Sequence, residues 1–159
     1  KAGFEKVQNH VADALSKGAK LVAGKHPDEL DADKNLFYTP TVVTGVTHDM
    51  ACCKEETFGP LVPMIEFDDE DEVIRRANDT EYGLAAGVFT ENLNRAHRSI
   101  HRLEAGICWI NTWGDSPAEM PVGGYKQSGV GRENGISTLN HYTQIKSVQI
   151  EMAPFESVF

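Results

Sequence analysis

No apolar run in the 159-residue sequence approaches the ~20 residues that a membrane-spanning helix needs, so no membrane partner is expected. Positive charge is also in short supply. With a formal net charge of −9 the chain is a poor match for a phosphate backbone, and no nucleic-acid partner is expected. Cysteine is scarce: Cys52, Cys53 and Cys108 form neither a secretory disulfide framework nor a metal-ligand spacing. Cys52 and Cys53 are adjacent, where a ring disulfide would be strained, so a reducing cytoplasm is the expected location. Lys1 stands where a Met would open a chain, and no basic-then-apolar leader follows. That is expected of a processed chain or of a piece of something longer. Internal repeats are absent too.

What is present fits one ordinary domain, with 40% hydrophobic and 25% charged residues. Residues 4–17 read as an amphipathic helix with Phe4, Val7, Val11 and Leu15 on one stripe, stopped near Gly18. A short strand is expected at 20–23, polar loop at 26–35, β-rich chain at 37–43 and turns at 44–50. An apolar strand at 61–67, interrupted by Pro63, leads to a helix ending near Asn78, whose acidic start suits its dipole. A buried strand at 83–89 follows, then a helix over 92–103 with Leu93, Ala96, Ile100 and Leu103 inward, then a buried strand at 106–110. Strand–helix–strand–helix–strand is the pattern of a parallel sheet, in which function gathers beyond the strands' C-terminal ends. The Gly/Pro-rich segment 112–131 begins at such an end. A short helix is expected at 134–140 and a strand at 144–151.

General motifs give no reaction. Asp31, Asp33 and Asn35 open like a calcium loop, but Leu36 replaces its glycine and Val42 its bidentate glutamate. His97 and His101 lie one turn apart, with Arg98 where a zinc protease needs Glu; Arg95, Arg98 and Arg102 make this a solvated basic face. Gly129-Val-Gly131 follows no strand and has Asn134 at its third glycine position. There is no Gly-x-Ser-x-Gly elbow.

Two segments are more specific. Lys54-Glu-Glu-Thr-Phe-Gly-Pro60 resembles the Glu-x-Phe-Gly-Pro signature of aldehyde dehydrogenases. Met120-Pro-Val-Gly-Gly-Tyr-Lys-Gln-Ser-Gly-Val-Gly-Arg-Glu-Asn-Gly135 resembles the same family's Pro-x-Gly-Gly-x-Lys-x-Ser-Gly-x-Gly-Arg-Glu stretch. Tyr82-Gly-Leu-Ala-Ala-Gly-Val-Phe89 and Gly106-Ile-Cys-Trp-Ile-Asn111 fit between them in the family's order, so the resemblance spans essentially the whole chain. Asn111-Thr-Trp-Gly-Asp-Ser-Pro-Ala-Glu-Met-Pro-Val122 looks like the substrate-anchoring loop of the bacterial betaine aldehyde branch, as do the segment 132–148 and the terminal Ser157-Val-Phe159. Plant enzymes of the same activity have Trp where this chain has Val122, a departure that favours the bacterial branch.

The resemblance implies an α/β fold: the C-terminal part of the catalytic domain, an open parallel sheet with flanking helices, followed by an oligomerisation strand. Residues 1–140 would form the catalytic part, with the anchoring loop at 112–131, and 141–159 the strand and tail. It also implies the reaction. A thiolate attacks the aldehyde, hydride passes to NAD or NADP, and water releases the acid with a glutamate as base. The family's cysteine and general base would lie upstream of Lys1, so none of the three cysteines here is expected to be the nucleophile, and the chain alone should be inactive.

By resemblance, Glu56 grips the nicotinamide ribose and Phe58 lies near the ring; the plainer alternatives are a solvated carboxylate and a packing aromatic. Glu133 matches a proton-relay glutamate, or serves only a helix's first turn. Lys126 and Gly129 match positions that bind a potassium ion through backbone carbonyls, or form a turn without one. Trp113 is a candidate wall for a quaternary ammonium, with Glu119 adding charge and Val122 lining the substrate. The implied partners are betaine aldehyde and further copies of the parent, as dimer or tetramer. Other aldehyde dehydrogenases for neutral or amino aldehydes, or a non-catalytic partner subunit, remain alternatives.

Overall fold

The computed structural model describes residues 1–154 and divides into two compact units, one over residues 1–73 and one from Ile74 onward. The terminal match at 157–159 lies outside the described residues.

In the first unit the helix stripe does what its spacing predicts. Helix α1 (Ala2–Ser16) buries Phe4, Val7, Val11 and Ala14, and Leu15 packs against the same core. These residues share a core with Ala19, Tyr38, Val43, Val46, Met50, Cys52 and Leu61. The sheet has three strands: β1 (Lys20–Ala23), β2 (Thr41–Thr44) and β3 (Leu61–Met64). Central β2 alternates buried Thr41 and Val43 with half-buried neighbours, as a strand with one covered face should. It runs antiparallel to β1 and parallel to β3. Pro63 is tolerated in β3, an edge strand of this sheet.

A short helix, α2 (Ala51–Lys54), follows the expected turns at 44–50, at a place where no element was expected. Its first N–H is capped from α1, since Ala51 N donates to Asp13 Oδ2 at 2.8 Å. That bond, with Lys17 beside it, holds the Asp13 carboxyl below the usual carboxylate range. Helix α3 (Glu70–Asn78) runs from an acidic first turn across the boundary into the second unit.

The second unit carries β4 (Tyr82–Gly83), β5 (Ala85–Val88), α4 (Leu93–Ile100), β6 (Ile107–Ile110), β7 (Tyr125–Lys126) and α5 (Leu139–Tyr142). Strands β5 and β6 pair in parallel, Gly87 opposite Trp109, with α4 as the crossover between them. The fold is therefore α/β, with mixed sheets. Its parallel pairs are β2–β3 and β5–β6; β4 instead pairs antiparallel with β7, inside the segment expected to be loop. Strands β5 and β6 are half-buried along most of their length rather than fully buried.

Two further expectations need correction. Leu93 is exposed, because Asn92 caps the helix (Oδ1 accepts from Arg95 N at 2.9 Å) and Leu93 is its first residue. The buried face is set by Ala96 and Ser99. Residues 144–151 form no strand and are exposed, since a strand needs a pairing partner and none lies among the described residues.

Candidate active site

Glu56 and Phe58 stand in the first unit, on the loop between α2 and β3. Beneath the loop is α1. Gly59 sits so close to it that a Cβ there would come within 2.3 Å of Val7 Cγ2. The end of the loop is tied to the sheet by Thr41 N donating to Pro60 O at 2.8 Å. Lys6 Nζ donates to the Glu56 carbonyl, while the Glu56 carboxylate is exposed and has no hydrogen bond or ion pair among the described residues. Phe58 is 85% exposed and has φ +49, a conformation costing a bulky residue about 1–3 kcal/mol. This is not a core phenylalanine. An uncommitted carboxylate beside a presented aromatic ring fits a nucleotide's ribose and its flat base in kind.

A buried residue that carried no motif holds this loop. His10, 4% exposed on α1, places Nδ1 2.9 Å from Thr57 Oγ1 and Nε2 3.3 Å from Glu55 Oε2. The only sequence signal was a histidine inside an apolar helix stripe.

The other candidates stand in the second unit. Segment 112–131 leaves the C-terminal end of β6, where Asn111 bridges back: its amide donates to Thr90 O at 2.9 Å and accepts from Thr90 N at 2.8 Å. Trp113 leans on Trp109 with ring centroids 4.9 Å apart, and its ring covers Gly87, where a Cβ would lie 3.0 Å from Trp113 Cε3. It is nonetheless 62% exposed and lines a hollow of about 370 Å³ with Tyr82, Leu84, Ala86 and Leu103. Glu119 is exposed, and its carbonyl is approached by Gly135.

Val122 and Glu133 are brought together. Each backbone N–H donates to the other's carbonyl at 2.8 Å, forming an antiparallel bridge. Glu133 therefore does not lie in a helix's first turn; the next turn of helix, a 3₁₀ turn, begins at Ile136. Val122, Gly129 and Glu133 line one hollow of about 520 Å³, together with Arg132 and His141. This is a different hollow from that of Trp113. Arg132 N donates to His141 Nε2 at 3.1 Å, and the Arg132 guanidinium donates to the carbonyls of Gly124 and Gly131.

The ammonium of Lys126 is committed elsewhere. It donates to Asn78 O at 2.7 Å and Thr80 O at 3.2 Å and pairs with Glu104 Oε2 at 2.7 Å, closing the C-terminal end of α3. The turn at Lys126 and Gly129 offers a potassium ion two carbonyls, right in kind for a hard cation but short of the ~6 oxygens one takes. No group of three His, Cys, Asp or Glu residues among the described residues is placed to hold a metal.

All three thiols are free, and burial raises each. Cys52 is pushed up to about 11, leaving a thiolate fraction on the order of 10⁻⁴ at pH 7. None is poised as a nucleophile. Burial disfavours the charged form, so alkylation of native Cys52 by iodoacetamide should be slow at pH 7 and quicken steadily up to pH 11. Modification at pH 7 as fast as that of an exposed thiol, read by mass spectrometry, would contradict this.

Both units are α/β; the first presents the Glu–x–Phe loop and the second holds the glycine-lined hollow. The model of the aldehyde dehydrogenase family matches residues 1–148, and the chain belongs to that family. An NAD-dependent aldehyde dehydrogenase from Sinorhizobium meliloti is 40% identical with a TM-score of 0.89, over 100% of this chain and 31% of its own. An aldehyde dehydrogenase from Bacillus cereus, solved as its NAD+ complex, is 45% identical with a TM-score of 0.86, over 96% of this chain and 30% of its own. A succinate-semialdehyde dehydrogenase from Burkholderia pseudomallei is 44% identical with a TM-score of 0.79, over 89% and 29%. The chain thus spans about 30% of the length of these solved relatives. No helix among the described residues is long and apolar enough to cross a membrane.

Proposed function

We propose that this chain is the C-terminal part of a dehydrogenase that oxidises betaine aldehyde to glycine betaine with NAD or NADP. The observation that carries the substrate is Trp113. An exposed indole braced by Trp109 at 4.9 Å offers a fixed π face to a quaternary ammonium, an attraction of about 1–2 kcal/mol. Exposed Glu119 would add charge complementarity and Val122 an apolar wall.

Within that reading, residues 1–140 belong to the catalytic domain and 141–159 to an oligomerisation strand and C-terminal tail, the strand pairing mostly with the part of a dimeric or tetrameric parent that lies upstream of this chain. Glu56 accepts from the ribose hydroxyls, and Phe58 limits the ring's travel. A nicotinamide dinucleotide supplies the hydride acceptor when bound. Glu133, hydrogen-bonded through its backbone to Val122, passes the general base's proton toward solvent. The carbonyls of Lys126 and Gly129 would contribute to a potassium site completed by other oxygens. The nucleophilic cysteine and the base lie outside this chain, which alone should not oxidise aldehydes. Free thiols suit the cytoplasm.

A second reading, an enzyme for a neutral or anionic aldehyde, is favoured by the likeness to the succinate-semialdehyde dehydrogenase. The complete polypeptide decides between them. Betaine aldehyde should exceed a neutral aldehyde of equal bulk in kcat/KM, and Trp113→Ala should raise KM for the cation about tenfold more than for the neutral compound. Equal effects on the two would remove betaine aldehyde as the substrate.

A further inference from the structure

We infer that His10 is a positioning residue for the nucleotide loop: from inside α1 its imidazole grips the residues on either side of Glu56 and leaves the Glu56 carboxylate free. This rests on the proposed role of Glu56 as ribose acceptor. The two ring nitrogens reach Thr57 Oγ1 at 2.9 Å and Glu55 Oε2 at 3.3 Å. With Glu55 ionised, Nε2–H donates to its carboxylate and Nδ1 accepts from the Thr57 hydroxyl. Lys6 and Val7, on the same face of α1, hold the Glu56 carbonyl and Gly59. One helical turn therefore touches four of the five residues from Glu55 to Gly59 without engaging the side chain of Glu56 or Phe58.

Packing alone does not call for this residue. The stripe otherwise buries Phe4, Val7, Val11 and Ala14, and a leucine would fill such a place without needing partners. A buried imidazole is stable only when its nitrogens are satisfied, and both partners belong to the loop. The loop also carries Phe58 at φ +49, a conformation that persists only where its surroundings over-determine it. The His10 clamp is one such determinant.

The test compares His10→Leu, which keeps the packing, with His10→Gln and Thr57→Val in the complete polypeptide. His10→Leu should raise KM for NAD about tenfold and change KM for the aldehyde by less than about twofold, with partial recovery in His10→Gln. Thr57→Val should weaken nucleotide use in the parent sequence and add little on top of His10→Leu. Independently of activity, amide hydrogen exchange at 56–58 should quicken about tenfold in His10→Leu while that of β2 is unchanged. A purely structural histidine would lower the melting temperature without separating the two KM values. Unchanged exchange at 56–58, or equal shifts in both KM values, overturns the inference. Quickened exchange in a polypeptide whose parent form oxidises no aldehyde with either NAD or NADP would uphold the clamp and overturn the reading of function.

Discussion

Gly106→Ala is expected to destabilise the second unit by about 3 kcal/mol or more, the upper range for overpacking, because what it meets cannot move aside. A Cβ at Gly106 would lie 1.8 Å from the Gly123 carbonyl oxygen and 2.9 Å from its carbonyl carbon. Both are backbone atoms. Gly123 has little room to retreat, since a Cβ there would meet Gly131 O at 2.6 Å. Relief must therefore displace the segment that carries the Val122–Glu133 bridge, and with it the 520 Å³ hollow. The contrast is Gly3→Ala, where a Cβ meets nothing within 4 Å and the residue lies in α1. That change should be neutral or stabilise by up to about 1 kcal/mol. Urea unfolding followed by circular dichroism separates the two. A Gly106→Ala chain within about 1 kcal/mol of the parent would mean that the backbone-on-backbone contact is not as tight as drawn.

The same contact explains why some of the site was legible in the sequence and some was not. Gly123 and Gly124 stand where main chains touch, a requirement that leaves glycine in the sequence whatever the neighbours are. Periodicity found α1, because Phe4, Val7 and Val11 are set by one helix burying one face. It also found β5, α4 and β6, a local parallel unit. Other features depended on distant partners. Helix α2 is capped by Asp13, 38 residues away, so its own sequence holds no cap. The order of strands and helices placed β3, β5 and β6 in one parallel sheet, but order alone does not name a strand's neighbours: β3 pairs with β2, and β5 with β6. Residues 144–151 have the composition of a strand and no ladder among the described residues to join.

Chemistry followed the same division. Glu56, Phe58 and Glu133 were named through resemblance of motifs, and the structure describes their surroundings: a free carboxylate, a strained exposed ring, a backbone bridge. His10 has no motif, because the role inferred for it rests on contact with Glu55 and Thr57 across the chain. For Lys126, reading the position for its carbonyl missed the ammonium, which spans to Glu104 and the end of α3.

Glu56→Ala in the complete polypeptide is expected to lower kcat about 100-fold, the scale of a misplaced reacting group. The carboxylate makes no bond to its own chain among the described residues, so its removal should leave the fold intact. The melting temperature should stay within about 2 °C of the parent, as for other exposed substitutions. The loss would fall on the nucleotide. Two charge-assisted bonds to ribose hydroxyls both bind the nucleotide and fix the ring's distance from the reacting carbon, so without them KM for NAD rises and the ring swings. Glu56→Gln keeps one acceptor oxygen and loses the charge, and should fall between, at roughly tenfold. KM for the aldehyde should not change in either variant. Deuterium on the aldehyde carbon tests the cause: hydride transfer made slow by poor alignment should display a larger isotope effect in Glu56→Ala than in the parent. A variant with parental kcat and parental isotope effect would reduce Glu56 to a solvated surface carboxylate and leave the loop's strain at Phe58 without a ligand to serve.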